Sequence, residues 1–258
     1  MKLVTYNLHL GGRRGGGSHW DLLESSFSPD IIFAQESTRV KGRVEGEREA
    51  VWKRVNGRDW GSAVVVRGSI VEELNVPMHP GWISGCIADI NDVGTIAAIS
   101  VQAPTIAGKK YPALAKEIVS AIAGMRIGVP LVIGADLNLI SAGVRQDSEA
   151  VETTPAELGV LKQMQDDLGL VSCWGIANPD AELPQTLRWS RDPEIPYHCD
   201  VLLVPETWKI DACDIPQGEP WTRLSDHSPV IADVTPTADV NISTHQTPAQ
   251  RLKRSDVA

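Results

Sequence analysis

Apolar residues in this chain come in short, dense runs separated by polar or glycine-rich breaks. The runs LVTYN, DIIFAQ, SAVVVR, WISGCIADI, TIAAISV, PLVIGAD, HCDVLLV and SPVIADV are each strand-length and rich in Val and Ile. Several lack strict polar alternation, as expected of strands covered on both faces. Between some of them the period lengthens to that of a helix. Tyr111, Leu114, Ile118, Ile122 and Met125 fall on one stripe, and Leu158, Leu161, Met164 and Leu168 on another. The second stripe has a start signal, with Thr154 as N-cap, Pro155 at the first helical position and Glu157 three residues after the cap. SHWDLLESSF predicts a shorter helix between the first two strands.

Many strands and few helices, not in strict alternation, predict an α/β chain with two packed sheets and helices outside them. A length of 258 residues with 42% hydrophobic content is compatible with one domain. That domain is expected over residues 1–235. Residues 236–258 have almost no apolar content and predict a disordered tail. No internal repeat is present.

Composition narrows the class. The opening MKLVTYNLHL meets polar Asn7 and His9 too soon for a signal peptide or a membrane span, so a cytoplasmic protein is expected. Cys86, Cys173, Cys199 and Cys213 show no metal-like spacing and read as free thiols in a reducing compartment. A formal charge of −9 argues against a protein that coats nucleic acid by charge alone. It leaves a nuclease open, because carboxylates around a divalent cation carry negative charge of their own. Residues 39–59 lean basic, with seven Lys/Arg against four Asp/Glu, and Arg13 and Arg14 sit in the nearby loop GGRRGGGS. This segment reads either as a solvated surface or as a phosphate-steering one. Neither a Walker-type phosphate loop nor a GxSxG elbow occurs.

Chemically capable residues recur at the ends of the apolar runs. Asn7 closes LVTYN, Glu36 closes DIIFAQE, Asp136 and Asn138 follow PLVIGADLN, Asp200 stands in HCDVLLV, and Asp226 and His227 precede SPVIADV. Each alone reads as a turn or cap residue. Together they imply a site, since a core would reject so much unpaired polarity. Oxygen ligands from Glu36, Asp226 and Asn7, without thiolates or a histidine cluster, suit a hard cation such as Mg²⁺ or Mn²⁺. Asp136 beside Asn138 supplies a base for water and an amide to hold it. His227, kept protonated by a carboxylate for which Asp200 is the candidate, donates to charge developing on phosphate.

In order and spacing, TYN, DIIFAQES, VIGADLN, HCDVLLVP and LSDHSPVIADV resemble the motifs of the endonuclease/exonuclease/phosphatase superfamily, which includes pancreatic-type deoxyribonucleases. The resemblance runs from about residue 1 to 235, with PYHCDVLLVPETW similar to a variant common in bacterial members. It implies a four-layer α/β/β/α sandwich with two packed, mostly antiparallel sheets, and Mg²⁺-dependent hydrolysis of phosphate esters by in-line attack of water. It matches Glu36 and Asp226 to metal-side carboxylates and Asn7 to the first-strand asparagine. Asp136 and Asn138 match the water-handling pair, and His227 with Asp200 the phosphate-contacting pair. A phosphate-ester substrate, with DNA and RNA among the candidates, and a monomer are expected.

Three departures qualify the resemblance. Gln102 stands where the superfamily usually places a phosphate-touching His or Tyr, which opens an alternative: a catalytically weakened phosphate- or nucleic-acid-binding protein. Val201 replaces a frequent aromatic residue. Ala135 replaces a frequent glycine before the aspartate, which is harmless only in ordinary β backbone. Arg188, Trp189 and Arg191, in the variable loop before Asp200, are candidates to clamp or stack on substrate. His79 and His198 read as structural, and most of the eight tryptophans as packing.

Overall fold

The computed structural model describes residues 1–12, 18–40, 48–143, 154–191 and 195–237. The expectations for Arg13, Arg14 and the tail beyond residue 237 lie outside the described residues.

Each of the eight apolar runs forms a strand: β1 (Lys2–Asn7), β2 (Ile31–Ser37), β4 (Gly61–Leu74), β5 (Ile83–Ile90), β6 (Gly94–Gln102), β7 (Leu131–Asp136), β9 (Asp200–Pro205) and β11 (Val230–Thr235). Three further strands are more polar or very short: β3 (Arg48–Arg54), β8 (Leu170–Ser172) and β10 (Lys209–Asp214). The predicted helices are α2 (Ser18–Phe27), α3 (Tyr111–Gly124) and α4 (Pro155–Leu168), joined by the single turns α1 (His9–Gly12), α5 (Cys173–Ala177) and α6 (Trp221–Leu224). The hydroxyl of Thr154 accepts the Glu157 N–H, as the cap pattern predicts. The Glu157 carboxylate does not return to the cap; it accepts the Ile140 N–H at 2.8 Å and so ties α4 to the loop after β7.

The strands form one continuous mixed sheet in the order β10-β11-β1-β2-β4-β5-β6-β7-β9-β8, with β3 paired to β4. Only β1–β2 and β6–β7 run parallel among the described pairs. Two separate sheets were expected; the correction lies in β4, which belongs to both halves. Its first part pairs with β2 and its last part with β5. Gly68 marks the change of partner, where a Cβ would stand 2.0 Å from the Asp89 carbonyl oxygen. Only glycine lets the two backbones approach so closely.

The sheet curls so that its halves face each other. Leu3, Ile31, Phe33, Val64 and Val66 from one half share a core with Cys86, Ala98, Val132 and Leu202 from the other. The hydrophobic stripes of α3 and α4 cover the outer face of β5–β9. Trp20, Leu23 and Trp221, from α2 and α6, pack on β1, β2 and β4. At Gly134 a Cβ would lie 2.4 Å from the Phe33 side chain, so the facing strands meet over a glycine. Gln35, fully buried, crosses the same interface: its amide donates to Thr5, to Ser100 and to the Gly134 carbonyl at 3.1–3.2 Å.

This topology gathers strand ends. Parallel β1 and β2, and parallel β6 and β7, deliver the C-terminal residues Asn7, Glu36, Gln102 and Asp136. Antiparallel β9 and β11 bring their N-terminal ends, with Asp200 and His227, to the same edge.

Candidate active site

Register sets the floor of the site. Gln102 pairs with Asp136 across β6–β7, and Asp136 with Asp200 across β7–β9, so three polar residues stand side by side at one sheet edge. Asp136 is oriented through both of its oxygens: Asn7 Nδ2 donates to Oδ2 at 2.9 Å, and the Asn138 backbone N–H to Oδ1 at 3.0 Å. Burial pushes the Asp136 carboxyl up to about 7; the Asp200 charge assists, while the His227 charge and the two hydrogen bonds oppose the rise.

His227 lies just before β11, in a backbone pairing with Leu187. Its Nδ1 sits 2.8 Å from Asp200 Oδ2, the contact expected from the sequence, which leaves Nε2 for a ligand. Burial alone would lower its pKa. The Asp200 charge and hydrogen bond, with Asp136 and Asp226 beyond them, overcome that and raise it to about 10. A protonated imidazole flanked by carboxylates results.

Glu36 and Asp226 are held by the adjacent residues Leu10 and His9. β2 bulges between Ala34 and Ser37, and Glu36 has φ 48°, which turns its carboxylate out of the strand's alternation. The Leu10 N–H donates to Glu36 Oε2 at 2.6 Å and Gln102 Nε2 to Oε1 at 2.8 Å. Gln102 is therefore bound to Glu36, where the sequence assigned it to phosphate. Asp226 and His227 make separate contacts: Asp226 Oδ1 lies 2.7 Å from His9 Nδ1, without the alignment of a hydrogen bond. Burial pushes the Asp226 carboxyl up, but the His9 contact and the charges of His227 and His9 outweigh it and hold it below the usual range.

His9 was not singled out in the sequence. Two signals bear on it, its place two residues after Asn7 and the closing of LVTYN by a polar stretch, but its left-handed conformation was invisible there. His9, Leu10, Glu36 and Asn138 all have φ between 48° and 53°. Positive φ in four non-glycine residues around one cleft is strain of the kind concentrated at functional sites.

Arg188, expected to clamp substrate, is spent on the protein. Its guanidinium donates to Ser228 Oγ at 2.8 Å and to the carbonyls of Ser225 and His227 at 3.1 and 2.6 Å. Trp189 is open, 41% exposed, with its ring edge-on to Tyr197. Asn138 sends its side-chain amide to the Ala103 carbonyl at 3.1 Å. His198 is fully buried against the Pro184 carbonyl, in keeping with a structural role.

Two groupings are candidates for a cation. Ligand atoms of Asp136, Asp200 and His227 lie within 4.8 Å of one another. The Asp200 and Asp136 charges that raise the His227 pKa favour a proton in this grouping, which competes with a cation for it. Glu36 and Asp226, the cation ligands expected from the sequence, contact the adjacent residues Leu10 and His9, and Gln102 Oε1 and Asp200 Oδ1 are buried acceptors lacking a donor. Acceptor oxygens left unmatched beside several carboxylates fit a hard divalent cation.

No family model and no curated protein matches the sequence. Solved structures do match along nearly the whole chain. A 3′ phosphatase from Neisseria bound to product DNA hairpin aligns at TM-score 0.67 and 17% identity, over 91% of this chain and 99% of that one. An AP endonuclease from Archaeoglobus fulgidus aligns at TM-score 0.65 and 17% identity, over 90% and 98%. A mannosyl-6-phosphatase from Bacteroides thetaiotaomicron aligns at TM-score 0.65 and 16% identity, over 91% and 99%.

The fold is that of the endonuclease/exonuclease/phosphatase proteins. Within that fold two of the sequence departures are harmless. Ala135 is a buried β7 residue without positive φ, and Val201 packs in the core of the β5–β9 half.

Proposed function

We propose that the protein is a divalent-metal-dependent hydrolase of phosphate esters, a phosphodiesterase that uses nuclease-like in-line attack of water. The observation that carries this reading is the juxtaposition of an oriented, buried carboxylate with a histidine held by a second one. Asn7 and Asn138 fix both oxygens of Asp136. Asp200 fixes the ring of His227. Asp136, with its carboxyl raised toward neutrality, takes the proton of an attacking water, and Asn138 positions that water. As the water oxygen bonds to phosphorus and the bond to the leaving oxygen breaks, His227 donates from Nε2 to the charge that accumulates on the phosphoryl oxygens. Glu36 and Asp226 would hold Mg²⁺ or Mn²⁺, which supplies neutralisation of phosphate charge when bound.

In this reading residues 1–235 are one catalytic domain. What supports a four-layer arrangement is that α2 and α6 lie outside one half of the curled sheet and α3 and α4 outside the other. Four buried free thiols accord with a cytoplasmic setting. The alternative, a binding protein weakened by Gln102, is not favoured, because Gln102 is engaged with Glu36 while the Asp136 and His227 arrangements are complete without it.

The test is hydrolysis of bis-p-nitrophenyl phosphate by the purified chain. Turnover requiring Mg²⁺ or Mn²⁺, lost with EDTA and lost in Asp136→Asn, is expected. Metal-independent turnover, or none on any phosphodiester, would rule the reading out.

A further inference from the structure

Leu10 is anomalous on the rim of the site. Its apolar side chain is 45% exposed, and its backbone has φ 49°, a region a leucine rarely enters. The Leu10 N–H bond to Glu36 holds that conformation and fixes where the side chain stands. Leu10 forms one wall of a cleft of about 650 Å³ whose other walls are Arg54, Gly57, Arg58, Asp59 and Trp60.

The cleft is organised for an anion. Arg54 ends β3, and Arg58 lies in the turn that follows; both are exposed, and neither has an ion pair among the described residues. The Arg58 guanidinium stands over the Trp60 ring at 5.9 Å, and Trp60 is itself braced edge-on by Trp82 at 5.3 Å. Stacking limits the freedom of the arginine and leaves its N–H groups for a ligand. In a chain with net charge −9, two guanidiniums without an ion pair among the described residues, beside one carboxylate, make a local positive lip. Of the basic segment 39–59, Arg54 and Arg58 are the described cations that line this cleft; Lys41 and Arg43 lie outside the described residues.

We propose that this cleft is a second anion subsite, which holds the nucleotide flanking the scissile phosphodiester, so that the preferred substrate is an oligonucleotide strand and not a small phosphate ester. The proposal rests on the phosphoesterase reading of the Asp136–His227 site. Because Leu10 bonds to Glu36, a strand continuing past the reacting phosphate enters this cleft directly. Arg54 and Arg58 take the neighbouring phosphate, and the Leu10 side chain packs on a sugar or base face, as apolar residues do when they meet nucleic acid. A compact monoester would leave both features unused.

The test pairs binding with turnover, in the full chain and in the double variant Arg54→Glu/Arg58→Glu. Fluorescence anisotropy with a short single-stranded oligonucleotide carrying phosphorothioate linkages, in EDTA across a range of NaCl concentrations, reads the subsite without catalysis. The double variant is expected to weaken binding tenfold or more and to flatten the slope of log Kd against log salt by about 0.7, the value for one lost phosphate contact on a single strand. Its hydrolysis of bis-p-nitrophenyl phosphate with Mn²⁺ should match that of the parent. Unchanged oligonucleotide affinity and slope would overturn the proposal, as would an equal loss on bis-p-nitrophenyl phosphate. A chain that hydrolyses nothing refutes the hydrolase reading separately, since the anisotropy arm needs neither metal nor turnover.

Discussion

At the scale of single residues, the site depends on how each polar side chain is held. Asp136 accepts through both oxygens, so Asp136→Asn removes the base and one of the two acceptors, since an amide nitrogen donates only. A loss of about 10²–10⁴ in kcat is expected. His227→Ala removes a donor to the transition state, for a comparable loss of about 10²–10³. Steady-state kinetics with urea unfolding checks both. The His227–Asp200 pair also makes a stability prediction. The imidazole pKa rises from 6.5 to about 10 on folding, so the stabilisation is fully present below pH 6.5 and is lost as pH rises through 10. Urea midpoints in EDTA should fall across that window more steeply in the parent than in Asp200→Asn, where only the Asp136 and Asp226 charges still act on His227; parallel curves would refute the pairing. These residues were legible because each closes an apolar run, where a carboxylate or imidazole has no structural excuse in numbers. Gln35 and His9 were not. A glutamine in the middle of a strand signals nothing until the opposite half of the sheet supplies Ser100 and Gly134, and positive φ at His9 and Glu36 has no sequence code outside glycine.

Elements add what single residues lack, a means of holding β9 against the loop before β11. The segment Thr186–Arg188 does this. The Thr186 hydroxyl accepts the N–H groups of Cys199 and Asp200 at 2.9 and 3.2 Å, and its carbonyl accepts the Ser228 N–H at 2.7 Å. The Arg188 N–H reaches the Asp226 carbonyl at 2.8 Å, and its guanidinium spans Ser225 to Ser228. One short segment thus fixes the carriers of Asp200, Asp226 and His227. Arg188→Lys keeps the charge but loses the fork. It should lower kcat by about tenfold or more while KM stays near its parent value, since the loop would misplace His227 in the transition state. A rise in KM at constant kcat would instead return Arg188 to substrate binding. Helices were legible from their stripes, and the central strands from dense Val and Ile. The sequences of β3 and β10, REAVWKR and KIDACD, hide because edge strands mix exposed charge with few buried positions. The length of β4 hides for a related reason: beyond Gly68 the run SIVEEL is largely exposed, so its apolar signal fades where its second partner begins.

For the molecule as a whole, the curl of one sheet sets both core and chemistry. Facing halves bring β1 and β2 over β7 and β9, and so bring Asn7 onto Asp136 from a strand 129 residues away. The sequence could show which residues end strands but not that β4 would carry the chain from one half to the other, since that turn of partner depends on a single close approach at Gly68. The same convergence concentrates Glu36, Asp136, Asp200 and Asp226 at one edge of a chain already at −9. Their repulsion is a cost of folding that a bound divalent cation offsets, because binding only to the native state stabilises it by mass action. At a free metal concentration of about 100 Kd the gain is about 2.7 kcal/mol. With roughly 2–4 °C per kcal/mol for domains of comparable size, Mn²⁺ should raise the melting temperature by on the order of 5–10 °C. Scanning calorimetry with and without metal reads this independently of any substrate. The rise should vanish in Glu36→Gln, which keeps the hydrogen bonds to Leu10 and Gln102 within reach but loses the charge, and should persist in Asp136→Asn. If instead Asp136→Asn abolished it and Glu36→Gln left it intact, the cation would belong to the Asp136–Asp200–His227 cluster, and the division of the site into a metal side and a proton-transfer side would have to be reversed.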